Sequence, residues 1–508
     1  MSDRPSTEDT AGLRYALELF LLGGEFELYE DDRPLGKIAP DQASAELSYG
    51  KVIFSCWGEG WSKSWRIVGC KVTTGGLALE CTRQMGLARP TLELRRGTGG
   101  DGEKPSRQDY CKKLAVWVES ALSGIRVKHA VVARDDQKNI SGSYARLVMI
   151  DGNRGGKAVI AGIGASPAEH QAVIDRLLGA GIAWAEQLGR VGERVEALYL
   201  FVPAGRALTL LTRLTSIKQD KLKVLLYEVD ERSGSVSLVE PFDQGDLAEN
   251  FGKAARRAIW PDKNSLGPPI QALVDSIVRI APDFIESHLR PGSVVLSIRG
   301  LPLARVLIGR RRACFGLDGR EQDLTDGNRG DLERLVAEII SNRTPWSEDR
   351  NSAIYRAYSE RWLESLILRD ASAIDPNIDT RYVYSQVPIY RGEQRTFIDL
   401  LAATTSGRLV VMELKVSEDS DFPLQALDYW LKVGWHQQRG DFERRVYFRD
   451  VKISPAPPLL CLVAPLFRFH ASTALIAGSI SERVPLYRIG INDDWRAGVQ
   501  VLLRERVN

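Results

Sequence analysis

Cysteine is scarce and scattered in this chain: six in 508 residues, at Cys56, Cys70, Cys81, Cys111, Cys314 and Cys461. None falls in a C-x-x-C pair, which argues against a zinc site and against a disulfide framework, and fits reduced thiols in a cytoplasmic setting. Five dispersed histidines make zinc chemistry equally unattractive. No apolar run approaches the ~20 residues that a membrane-spanning helix needs, so no membrane partner is expected. The stretch LRYALELFLLGG is short and carries Arg14 and Glu18, and the polar, acidic start MSDRPSTEDT is unlike a secretory signal. An excess of one charge is also missing. The 68 Lys+Arg against 66 Asp+Glu leave a net charge of +2, so any grip on phosphates must come from a local patch. There is no P-loop, and Gly162-x-Gly164 after a strand is too weak a signal for a nucleotide loop.

What is present is an ordinary folded-protein composition, 44% hydrophobic and 26% charged, at a length that predicts several domains. Residues 1–105 alternate short strands and turns (GEFELYE, KVIFSCW, SWRIVGCKV, LALECTR, TLELRRG), which predicts a β-rich N-terminal domain. Trp57, Trp61 and Trp65 within it could stack on bases, although clustered tryptophans more often form a core. Gly97–Arg107 reads as a linker. Residues 106–265 predict an α/β domain: a helix over Asp109–Leu122, strands ARLVMID, KAVIAGIG, EALYLFVP and VLLYEVD, and a helix at HQAVIDRLLGAGIAWAEQL. Residues 266–349 read as an Arg-rich connector, with a helix over Pro269–Leu289 and another over Leu332–Ser341. Within it, Ser287–Leu317 holds six arginines and no acid. Arg310, Arg311 and Arg312 could clamp a nucleic-acid backbone, or form a solvated loop between strands. DGNRG occurs twice, at Asp151 and Asp326, in flanks that do not match.

The most informative stretch is TFIDLLAATTSGRLVVMELKV, Thr396–Val416. Asp399 lies on one apolar run and Glu413-Leu414-Lys415 on the next, with a Thr-Ser-Gly turn between. Strands folded back at that turn bring two carboxylates and an ammonium to one end of a sheet. Leu409–Met412, Leu414 and Val416 make a run that suits a strand covered on both faces. Carboxylates are costly there unless something neutralises them, and a divalent cation with oxygen ligands does so. The plainer reading makes Glu413 and Lys415 a solvated strand face, since residues two apart point the same way.

Other residues fit around these. Ser359–Glu364 opens a helix that places Glu360 and Glu364 on one face, and of the two Glu364 is the favoured metal-shell residue. Leu424–Trp430 reads as a helix carrying Gln425 and Tyr429 four apart, a spacing that serves a phosphate or metal shell and a core tyrosine equally well. Strands LLCLVAP and VPLYRIGI, with a helix near Ser472–Ala477, complete the sheet, and His436 reads as a packed helix residue.

The ordered set (Glu helix, Asp strand, Glu-x-Lys strand, Gln-x-x-x-Tyr helix) resembles the PD-(D/E)XK nuclease superfamily over about residues 350–470, in its RecB-like and NucS-like branches. Ile398-Asp399 stands where the family has Pro-Asp. The resemblance implies a restriction-endonuclease-like α/β core, a mixed sheet flanked by helices, over residues 350–508. It implies Mg²⁺ or Mn²⁺ at Asp399, Glu413 and Glu364, catalytic roles for Asp399, Glu413, Lys415, Gln425 and Tyr429, and DNA as substrate. The setting it implies is DNA repair or defence against foreign DNA, with a homodimer as the form in which such enzymes often work. The strand, strand, helix, strand order of residues 106–265 echoes that of the nuclease part. AVIAGIG would take the place of the Glu-x-Lys strand with neither acid nor lysine, as in a degenerate, inactive nuclease-like fold. The alternatives from other classes are a non-catalytic nucleic-acid or protein-binding scaffold and a partner-gated anti-phage effector.

Overall fold

The computed structural model describes residues 13, 17, 20–21, 26–31, 33–39, 42–48, 51–58, 61–73, 76–82, 90–95, 107–132, 144–152, 159–169, 171–220, 222–240, 266–290, 292–317, 320–391 and 394–508. The chain is α/β, with antiparallel and mixed sheets. It forms two compact units, each assembled from separate stretches: residues 1–102 with 263–358, and residues 103–262 with 359–508.

The first unit opens with an antiparallel sheet of β1 (Phe26–Glu30), β2 (Arg33–Ile38), β3 (Ala43–Ser48), β4 (Lys51–Gly58), β5 (Trp61–Thr73), β6 (Gly76–Thr82) and β7 (Thr91–Arg95), in the order β2-β1-β7-β6-β5-β4-β3. Alternation drives it: in β7, Leu92 and Leu94 are buried while Thr91 and Arg95 are exposed. Of the tryptophan cluster, Trp65 is fully buried in this sheet's core and stacks on Phe54 with ring centroids 6.1 Å apart. The side chains of Trp57 and Trp61 lie outside the described set, as do residues 97–106 of the expected linker.

The second unit begins with α1 (Arg107–Ala121), β8 (Ile125–Val132), β9 (Ala145–Asp151), β10 (Val159–Gly164), α2 (Leu177–Arg190), β11 (Val195–Pro203), α3 (Leu208–Leu214), β12 (Lys223–Asp230) and β13 (Ser235–Leu238). Gly162 and Gly164 lie inside β10 and do not form a nucleotide loop. A Cβ on Gly162 would stand 2.9 Å from Leu147 Cβ, and one on Gly164 2.5 Å from Leu114 Cδ2. Side chains of the neighbouring strand β9 leave no room at Gly162, and Leu114 of α1 leaves none at Gly164.

The first unit then resumes with α4 (Pro268–Val278), β14 (Ile285–Arg290), β15 (Ser293–Ile298), β16 (Leu301–Leu307), β17 (Arg312–Phe315), β18 (Gln322–Asp323) and α5 (Arg329–Asn342). The stretch read as a connector thus carries a five-stranded sheet with its own apolar core of Val274, Leu296, Leu303, Val306 and Ile339. The helix expected over Pro269–Leu289 ends at Val278, and Ile285–Arg290 is a strand paired with β15. Pro282 explains the break, because it lacks an N–H and disfavours helix at the residue before it.

The second unit closes with α6 (Ser359–Arg369), β19 (Ile378–Arg391), β20 (Gln394–Thr404), β21 (Leu409–Leu414), α7 (Phe422–Gln438), β22 (Leu459–Pro465), α8 (Thr473–Ser479), β23 (Leu486–Ile491) and β24 (Val501–Arg506). The sheet order is β19-β20-β21-β22-β23-β24: antiparallel at β19–β20–β21, parallel at β21–β22–β23, antiparallel at β23–β24. The residues 103–262 sheet repeats these pairings strand for strand from β8 to β13. One continuous core joins the two, with Leu198 and Leu200 of β11, Leu177 and Leu178 of α2, Leu424 of α7, Ile476 of α8 and Leu460 and Leu462 of β22.

The β20–β21 turn fixes the register on which the site depends. Thr404 N–H donates to Arg408 O at 2.8 Å, and Gly407 N–H donates to Thr404 O at 2.8 Å. Gly407 has φ +82°, and a Cβ there would meet Lys452 O at 1.9 Å. Gly407→Ala is therefore expected to cost at least ~2 kcal/mol, from left-handed strain plus displacement of the 452–454 backbone. Urea unfolding measures it, and a loss below half that figure would mean the turn adapts.

Candidate functional site

β21 is buried along its whole length, with α6 and α7 packed on it. A polar residue in it is therefore dry unless it sits at the strand end. Glu413 and Lys415 sit at that carboxyl end. Glu413 is 1% exposed, and Lys415 Nζ lies 3.3 Å from Glu413 Oε1. Pairing of Leu400 with Met412 brings Asp399 alongside. Asp399 Oδ2 accepts the Leu414 N–H at 2.9 Å, and Oδ1 accepts from Gln386 Nε2 at 3.1 Å. The Gln386 amide also donates to Glu364 Oε2, so one side chain ties the α6 acid to the β20 acid. Glu364 is buried and lies 3.4 Å from Arg361 Nη1.

The electrostatics match this geometry. Burial pushes the Glu413 carboxyl well above its ordinary range, and Asp399 adds to the push against the opposing pull of Lys415. Burial likewise raises Glu360, where Lys415 pulls the other way and Asp399 adds to the rise. For Lys415, burial alone would lower the pKa, but Glu413, Glu360 and Asp399 outweigh it and hold the ammonium protonated. Tyr429 is raised by burial and by Glu413, which places its phenol in the field of the site, and Gln425 Nε2 donates to its hydroxyl at 3.1 Å. The structure thus gathers Asp399, Glu413, Lys415, Glu364 and Tyr429, with Gln425 attached through the Tyr429 hydroxyl. Glu360, the less favoured of the helix pair in the sequence reading, also faces Lys415. Gln386 had no signal in the sequence: it sits at φ +51° on a strand, and only the β19–β20 register reveals what it faces.

Among the described residues, no three His, Cys, Asp or Glu side chains converge as a metal-holding group. Two carboxylates nevertheless suit Mg²⁺ or Mn²⁺, hard cations that keep several waters. Glu413 Oε2 is buried with no hydrogen-bond partner in the structure. An orphaned carboxylate oxygen beside a second carboxylate fits a cation ligand better than a structural acid. The raised Glu413 pKa means that proton binding stabilises the metal-free fold, and this contribution is lost as pH rises through the raised value. Glu413→Gln is therefore expected to raise the melting temperature in EDTA at pH 8 by roughly 2–4 °C. A lower melting temperature would show that the carboxylate is a structural partner of Lys415.

A cleft of about 560 Å³ reaches Val416, the residue after Lys415, and is lined also by Ser359, Pro465, Phe467, Arg468, Asp493, Trp495 and Arg496. Phe467 is 75% exposed, and the Arg496 guanidinium lies 4.2 Å from the Trp495 ring centroid. Two arginines and an exposed ring, with Asp493 as the one acid of the lining, suit a nucleotide strand by ion pairing and stacking. Nothing in the sequence order groups these residues.

Arg310, Arg311 and Arg312 belong to the other unit. They are exposed, Arg310 and Arg311 on the turn between β16 and β17 and Arg312 at the start of β17, with Arg311 at φ +48° and Arg312 Nη1 3.1 Å from Asp323 Oδ2. His436 is packed, as expected, with Nδ1 2.8 Å from Asp441 Oδ2.

The chain matches no protein-family model and no curated protein. Among solved structures it is similar to a complex of EndoMS with double-stranded DNA, at 13% identity and a TM-score of 0.18, over 44% of this chain and 94% of that one. It is also similar to a repair endonuclease from Pyrococcus abyssi, at 14% identity and a TM-score of 0.18, over 45% of this chain and 97% of that one. At that TM-score neither likeness carries an argument. No helix among the described residues is long and apolar enough to cross a membrane.

Proposed function

We propose that the residues 359–508 module is a divalent-metal-dependent nuclease that hydrolyses phosphodiester bonds in DNA. The observation that carries this is Glu413 Oε2, buried and unpartnered beside Asp399 and Lys415 at a strand end. Asp399 and Glu413 would hold Mg²⁺ or Mn²⁺, and Glu364 would join them through the Gln386 amide. Such an ion, when bound, polarises the phosphoryl oxygen and acidifies a water. Lys415 donates to the phosphoryl oxygens as negative charge builds on them. Gln386 keeps the Asp399 carboxylate oriented, and the Arg468 and Arg496 cleft leads a strand to the site. The motif order shared with PD-(D/E)XK nucleases supports the same reading, and with it DNA repair or defence as the setting. A non-catalytic scaffold is favoured by one observation, the lack of a third converging acid among the described residues.

The test is a cleavage panel of supercoiled plasmid, linear duplex, single-stranded, branched and mismatched DNA, and RNA, with Mg²⁺ or Mn²⁺ against EDTA. Metal-dependent cutting of DNA is the expected result. No cutting, with no thermal shift on adding Mn²⁺, would favour the scaffold. A Mn²⁺ shift without cutting would point to an effector gated by a partner.

A further inference from the structure

The repeated sheet topology of the second unit allows position-by-position comparison. In one half, Leu414 pairs with Val463, and Lys415 N–H donates to Val463 O at 3.0 Å. In the other, Gly164 pairs with Phe201, and Ala165 N–H donates to Phe201 O at 3.0 Å. Two residues beyond these acceptors both strands reach a proline, Pro465 and Pro203. The antiparallel neighbours agree, with Leu400 opposite Met412 and Leu147 opposite Gly162. Ile163 therefore stands in the place of Glu413, Ala165 in that of Lys415, and Arg146 in that of Asp399. Where α6 offers glutamates, α1 offers Tyr110, whose hydroxyl donates to Ala165 O at 2.9 Å. Arg146 is buried, and its guanidinium lies 5.5 Å from the Trp184 ring centroid. A fixed cation in place of an acid repels a divalent ion.

The two halves also meet about a local two-fold axis. Just past α3 lies Ser216-Ile217, and at the end of α8 lies Ser479-Ile480. Ile217 and Ile480 form an antiparallel bridge. Lys218 N–H donates to Ser479 O at 2.8 Å, and Ser481 N–H donates to Ser216 O at 2.8 Å. Exchanging the halves maps one bond onto the other. This is the geometry of an isologous dimer interface, here closed within one chain.

We infer that a single chain is itself the working pair, with one metal-competent module and one cationic, metal-free module, so that it nicks one strand of a duplex at each encounter. Two-fold proteins present their halves to the two strands of a duplex through its matching dyads. Here one half cuts, and the half built around Arg146 only holds. The inference rests on the nuclease reading of the intact module, and it replaces a homodimer with a pair inside the chain.

The experiment combines sedimentation, plasmid cleavage with protein limiting, and Mn²⁺ binding by electron paramagnetic resonance. The chain is expected to sediment at its monomer mass of 56.5 kDa. Supercoiled plasmid should convert to nicked circles, with linear product appearing only after many independent nicks. Asp399→Ala should remove all Mn²⁺ binding. Linear product formed together with nicked circles, an obligate dimer, or Mn²⁺ retained in Asp399→Ala would each overturn the asymmetry. A wild type that neither cuts nor binds Mn²⁺ would instead overturn the nuclease reading on which it stands, and the asymmetry with it.

Discussion

Replacing Lys415 by alanine is expected to lower metal-dependent cleavage by about 10²–10³-fold while leaving Mn²⁺ binding in place. That factor corresponds to roughly 2.7–4 kcal/mol of lost stabilisation of the developing phosphoryl charge. Lys415 is mostly buried, and Glu413, Glu360 and Asp399 hold it as an ammonium, so its donor is fixed before substrate arrives. Asp399→Ala should differ in kind. In the proposed nuclease it removes a metal ligand, so the gain in thermal stability with saturating Mn²⁺, about 2.7 kcal/mol at a hundred times Kd, should vanish along with cleavage. Single-turnover rates and melting curves on the same samples separate the two effects. Cleavage by Lys415→Ala within threefold of wild type would remove the lysine from the chemistry.

The largest expected loss of stability lies away from the site, at Arg213. This residue on α3 is fully buried and makes two bonds to Asp428 on α7, Nε to Oδ1 at 2.9 Å and Nη2 to Oδ2 at 2.8 Å. It also donates to Asp175 O, and its Nη1 lies 3.6 Å from Asp421 Oδ1. Burial would lower its pKa, but Asp428 and Asp421 outweigh that and hold the charge. Arg213→Ala strands the Asp428 carboxylate in the core, at an expected cost of about 3–5 kcal/mol. An Arg213→Met, Asp428→Leu double variant removes the bidentate pair and should recover part of it, because a buried pair repays little beyond its own desolvation, while Asp421 still loses the cation 3.6 Å away. Urea unfolding of the three proteins reads the difference. A double variant no more stable than Arg213→Ala would assign the clamp a packing role instead. The clamp has a structural consequence too, since it fastens the residues 103–262 half to the helix that follows the Glu-x-Lys strand.

Much of the site was legible because its signals are local. Asp399, Glu413 and Lys415 stand out as polar residues in apolar runs, and a Thr-Ser-Gly turn between those runs forces them together. Helix spacing put Glu360 and Glu364 on one face, and the sequence reading favoured Glu364 as the metal-shell residue. The structure uses both, one facing Lys415 and one bonded to Gln386. The Pro269–Leu289 helix failed at Pro282, where a short apolar strand and a helix segment read alike. Gln386, Arg468 and Arg496 were invisible because each reaches the site through register or through a loop far along the chain.

The sequence by itself determined most of the strands and helices and the acid and lysine at the end of β21, since each depends on residues within one or two turns of chain. Only the tertiary structure decided which segments share a core. Residues 103–262 join 359–508, with 263–358 lying between them in the chain, because apolar faces of the two halves bury one another in one core. Hydrophobic burial has no direction of its own and does not write its partner into the local pattern. The same packing decided that Arg146, a plain arginine in the sequence, occupies the place that Asp399 has in the other half.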